Sequence, residues 1–99
     1  MFDKLEDLLI KFREIEQELM DPNVVNDQQR YRKLMIEQSE MAPLVEKYNE
    51  YKCTKTAMDD SLTMLGEEND EELLEMAKEE LNNCKQKIVE LEEDLKILL

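Results

Sequence analysis

Few side chains in this sequence are equipped for chemistry. There are two cysteines, Cys53 and Cys84, and no histidine. Without imidazole, zinc, haem and histidine-bearing di-iron sites lack their usual donors, and a Ser-His-Asp or Cys-His relay lacks its base. Cys84 falls on an apolar stripe, where a thiol is inert filler, and Cys53 sits beside one. With no secretory leader in view, both read as reduced thiols rather than a disulfide. Carboxylates abound: Glu67, Glu68, Asp70, Glu71 and Glu72 put five acids into six positions. The run can be read as a cation patch. It is better read as a turn and an acidic helix start favoured by the helix dipole, with Asn69 and Glu72 as a capping box. Asp59-Asp60-Ser61 lacks the spacing and the glycine of a calcium loop. A single glycine leaves no Gly-rich phosphate loop. No catalytic, cofactor-binding or metal-binding residue is therefore expected. One cluster breaks the acidity. Arg30, Arg32 and Lys33 surround Tyr31, a set suited to a ribose-phosphate or an acidic protein, and these four residues are the candidate partner-binding site.

Composition sets the class. Of 99 residues, 39% are charged and 5% aromatic, with no Trp, a profile of long helices and coiled coils rather than of many-turned β folds. Thirteen Lys and Arg against 26 Asp and Glu give a net charge of −13. A surface this acidic repels phosphate, so broad nucleic-acid or anionic-membrane binding is not expected. No stretch approaches the roughly 18 apolar residues of a membrane span. A cytoplasmic location is the expectation.

The elements follow from apolar spacing. Leu74, Ala77, Leu81, Cys84, Ile88, Leu91, Leu95 and Leu98 recur in three-four alternation, the period of a helix over 70–98. Its length is about 43 Å at 1.5 Å per residue. Leu5, Leu8, Phe12, Ile15 and Leu19, widened by Leu9 and Ile10, predict a first helix over 3–20. Asp3 is the expected cap, with Glu6 completing a capping box. Asp21 to Asn26 is read as a loop whose Val24 and Val25 fold back as a staple. A second helix over 27–65 is capped by Asn26 or Asp27, with Tyr31, Leu34, Met35 and Met41 on its buried side. Beyond Pro43 the seam is read as Leu44, Tyr48, Tyr51, Lys55, Met58, Leu62 and Leu65. Pro43 either bends one helix or separates two; the bent helix is preferred because no loop residues lie near it. Met35, Met41 and Met58 are read as core rather than as an adaptable binding surface. Gly66 is expected as a left-handed C′ residue. The result is an all-α fold, an elongated antiparallel three-helix bundle or coiled coil, forming a single domain over 1–99. The uncapped apolar ending Lys96-Ile97-Leu98-Leu99 gives the chain the look of a piece cut from a longer one.

Two stretches carry a resemblance. Asp21-Pro22-Asn23-Val24-Val25-Asn26-Asp27, continuing through Arg30-Tyr31-Arg32-Lys33-Leu34 to Glu37-Gln38-Ser39, is similar to the N-terminal region of the bacterial peptide chain release factor 1 family. So are Glu75 to Leu81 and Leu91 to Leu99. The resemblance implies a helical first domain of a cytoplasmic translation termination factor. Such factors read stop codons on the ribosome and trigger peptidyl-tRNA hydrolysis through a Gly-Gly-Gln loop and a codon-reading tripeptide in later domains. Neither motif occurs here, so no catalytic or decoding role transfers to any residue, and the chain is not expected to be an enzyme. The implied partners are the ribosome (stalk-base proteins or rRNA) and the partner GTPase release factor, engaged through the parent protein. The rival reading is a free-standing structural coiled-coil or adaptor protein unrelated to translation; a third, an enzyme working through carboxylates, has no concave site to support it. The coding sequence beyond Leu99 separates the first two.

Overall fold

A computed structural model describes residues 1–99 as four helices and no strand: α1 Phe2–Leu19, α2 Pro22–Val25, α3 Gln28–Glu67 and α4 Glu71–Leu98. The all-α class is as expected, and the three long helices fall close to their expected bounds. Two compact units divide the chain, Met1–Glu46 and Lys47–Leu99, with α3 contributing to both.

In the first unit, Ile15 of α1, Val24 of α2 and Leu34 of α3 form a buried cluster, with Leu19, Tyr31 and Met41 packed against it. Arg30 reaches Glu18 at 3.8 Å, so residues near the end of α1 face the start of α3, an antiparallel pairing. Asp3 does not cap α1. The helix starts one residue earlier, Met1 is its cap with no side-chain bond, and the Asp3 carboxylate lies in the first turn, where the helix dipole favours it. The expected loop after Asp21 is instead one helical turn. Pro22 takes the first helical position, which needs no N–H, and Asp21 Oδ1 accepts from the Asn23 N–H at 2.9 Å. Of the expected staple only Val24 is buried; Val25 is exposed. Asp27 caps α3, accepting from the Arg30 N–H at 3.2 Å. Met35 is exposed rather than core, since it lies about 100° round the helix from Leu34.

α3 runs through Pro43 unbroken. The ring removes the N–H that would bond the Ser39 carbonyl, but Pro43 is exposed and water can satisfy that group. The two-helix alternative is therefore excluded.

In the second unit, α4 pairs antiparallel with the later part of α3. Lys47 meets Asp94 at 3.4 Å, Lys87 meets Glu50 at 3.1 Å, and the Tyr51 hydroxyl donates to Glu92 at 3.5 Å. Along α4, Ala77, Leu81, Cys84, Ile88, Leu91 and Leu95 are buried as the spacing requires; Leu98 is exposed. On α3 the seam slips by one position from the expected one. Tyr48 and Tyr51 are buried, but Thr54 and Ser61 replace Lys55 and Leu62, which are exposed. Both registers keep three-four spacing; short hydroxyl side chains turn inward and the long cation stays in water. Thr54 Oγ1 loses little by burial, donating to the Glu50 carbonyl at 2.8 Å.

Gly66 takes no left-handed conformation. α3 continues to Glu67, and the Glu68 N–H bonds the Met64 carbonyl at 2.9 Å. Glu68 Oε1 then accepts from the Asn69 and Asp70 N–H groups at 3.0 Å each. Asp70, not Asn69, caps α4, accepting from Glu72 and Leu73.

The observed register makes Leu91→Ala cost about 2–5 kcal/mol in urea unfolding, whereas Leu62→Ala costs under about 0.5 kcal/mol. A Cβ at Gly66 meets nothing within 4 Å. Gly66→Ala should accordingly raise stability by about 0.4–1 kcal/mol in the same assay.

Candidate functional site

The four residues proposed for partner binding lie in the first two turns of α3, and helix geometry distributes them unequally. Arg30 is exposed but engaged with Glu18. Tyr31 is half-buried against the Ile15–Val24–Leu34 cluster, so its ring supports the helix as much as it faces outward. Arg32 and Lys33 are exposed. At about 100° per residue, Arg32 points some 160° away from Leu34, to the side opposite the core. There it borders a shallow groove with Met35, Ile36, Ser39 and Glu40. Met35 is 40% exposed and Ile36 53%. The site is thus an open helix face with one guanidinium, two apolar side chains and a carboxylate, and Lys33 on its flank. It can hold an anionic group or an apolar side chain of a partner, but encloses nothing. Sequence spacing missed Ile36, although its position two residues after Leu34 breaks the core alternation and marks an outward apolar residue.

The second unit carries polar detail along its seam. Tyr48 and Tyr51 stack with ring centroids 6.5 Å apart, and Lys52 Nζ stands 5.2 Å above the Tyr48 ring. Burial pushes the Tyr51 phenol above its ordinary pKa, helped by the adjacent Glu92 carboxylate. Burial likewise pushes the Cys84 thiol up, and its Sγ donates to Glu80 Oε1 at 3.5 Å. No group of three or more Cys, Asp or Glu stands close enough to hold a metal ion. No helix is long and apolar enough to cross a membrane.

Residues 8–99 match the family model described as the PCRF domain. The chain belongs to the PCRF domain family. Peptide chain release factor 1 of Lachnoclostridium phytofermentans is 59% identical over 99 residues, covering 100% of this chain and 28% of that protein. The namesake proteins of Agathobacter rectalis and Chlorobaculum tepidum are 54% and 43% identical, again over 100% of this chain and 28% of their own length. The chain therefore spans little more than a quarter of these relatives. No solved structure matches it.

Within the PCRF domain, the seam groups set a pH limit. Folded Tyr51 and Cys84 hold their protons more tightly than the unfolded chain does, whose ordinary values are 10.0 and 9.0. Their contribution is complete below those values and is lost as pH rises through the higher folded ones. The thermal midpoint should fall as pH is raised from about 9 upward, and Tyr51→Phe should flatten the portion above about 10. Circular dichroism melts across that range check both.

Proposed function

We infer that this chain is a helical docking domain of a translation termination factor, with no hydrolase chemistry of its own. The observation that carries the reading is the match of residues 8–99 to the PCRF domain, together with 59% identity to a peptide chain release factor 1 over the whole chain. In the parent protein the domain helps to seat the factor on the ribosome during stop-codon-dependent release. Its partners there are the stalk-base proteins or adjoining rRNA and the partner GTPase release factor, and its setting is the cytoplasm. Residues 1–99 act as one domain in this role.

Electrostatics divides the labour. A net charge of −13 repels RNA phosphate over most of the surface and favours basic protein surfaces. The cations at the start of α3 are the local exception. Arg30, Tyr31, Arg32 and Lys33, with the groove beside Arg32, are the proposed contact, Arg30 and Tyr31 bracing the helix and Arg32 and Lys33 meeting the partner.

The test is co-sedimentation of the chain with ribosomes. Arg32→Glu combined with Lys33→Glu leaves the Arg30–Glu18 pair intact and should weaken binding at least about tenfold, equivalent to about 1.4 kcal/mol. Helicity should not change. Pelleting no greater than that of an unrelated acidic protein would remove the docking role.

A further inference from the structure

Cys53 and Cys84 take no part in the proposed docking, and both are free, one exposed and one buried. Their placement links them. The 3.1 Å contact of Lys87 with Glu50 marks a level at which α3 and α4 face each other. Because the helices are antiparallel, three residues forward from Glu50 and three back from Lys87 climb the same distance, about 4.5 Å at 1.5 Å per residue. That step lands on Cys53 and Cys84. Both thiols border one groove, together with Thr54, Ala57, Glu80 and Asn83. On the α3 side the groove is lined by the short side chains of Cys53, Thr54 and Ala57, and on the α4 side Lys87 completes the lining, its Nζ drawn off to Glu50. A disulfide asks for Cα atoms within about 7 Å, an approach that opposed positions with short neighbours allow.

We propose that Cys53 and Cys84 are an oxidisable thiol pair, which hydrogen peroxide converts to a reversible disulfide clipping α3 to α4. The exposed Cys53, as thiolate, attacks peroxide; an S–O bond forms, the O–O bond breaks, and hydroxide leaves and is protonated to water. Cys84 sulfur then attacks the Cys53 sulfenic acid. The S–S bond forms, the S–O bond breaks, and the departing hydroxide takes up a proton as a second water. The Cys84 proton leaves through Glu80, whose Oε1 already accepts from Cys84 Sγ. Two electrons pass from the sulfur pair to the peroxide. Burial keeps Cys84 protonated and unreactive toward the bulk oxidant, so the exposed partner reacts first.

The experiment treats the folded 99-residue chain with hydrogen peroxide, followed by intact mass and non-reducing peptide mapping. The chain should lose the mass of two hydrogens and yield one linked peptide joining Cys53 to Cys84, reversed by a reductant. Cys84→Ala should instead accumulate a sulfenic acid at Cys53, trapped by dimedone. Cys53→Ser, altered at an exposed position, should leave Cys84 unoxidised. Addition of oxygen to Cys53 in the unaltered chain without an internal link, or only Cys53–Cys53 dimers between chains, would overturn the proposal.

Discussion

The constraint behind the second unit is the apolar stripe of α4, which cannot remain in water. Its buried members from Ala77 to Leu95 lie on one narrow face, and each large one is worth about 1.5–3 kcal/mol when covered. No single helix can realise that gain. α3 supplies the cover with Tyr48, Tyr51, Thr54 and Ser61, and antiparallel pairing is the arrangement in which a short turn after Glu67 returns the chain along it. The charged contacts across this seam are half-exposed, so they add little stability, on the order of 0.2–1 kcal/mol each. They fix register rather than strength.

The polar residues divide in the same way. Each helix start that needs a cap after the first has its own aspartate: Asp21, Asp27 and Asp70 accept from backbone N–H groups one turn or less ahead. Acids collected around the turn from Glu67 to Glu72 therefore serve the backbone, with Glu68 and Asp70 closing four N–H groups between them. A protein so acidic still leaves one cationic face at the start of α3, opposite the packed side of that helix. An anionic partner group would meet least repulsion there, because the rest of the surface is predominantly acidic.

Periodicity made most of this legible. The α4 stripe was readable residue by residue because a single face carries nearly all its aliphatic side chains. The later part of α3 was harder. Lys55 and Leu62 satisfy the heptad as well as Thr54 and Ser61 do, and small buried hydroxyl side chains, such as that of Thr54 bonded to the preceding turn, leave no hydrophobic signal. The Pro22 turn and Gly66 depart from expectation for a shared reason: proline and glycine mark breaks only on average, whereas Pro22 opens a helix and Gly66 continues one. At the candidate site, the cations were visible from charge alone. That Tyr31 is half-buried against the Ile15–Val24–Leu34 cluster, and that Met35 and Ile36 flank Arg32, required the helix to be placed against α1 and α2. That Cys53 and Cys84 border one groove required the placement of α3 against α4.

The antiparallel register of α3 on α4 underlies the seam, its buried hydroxyls and its charged contacts. A nuclear Overhauser spectrum of the chain tests it most directly, through the ring protons of Tyr51. The predicted result is cross-peaks from that ring to Glu92, near the far end of α4. Cross-peaks instead to Leu74 and Ala77, at the near end of α4, would contradict the pairing and the seam built on it.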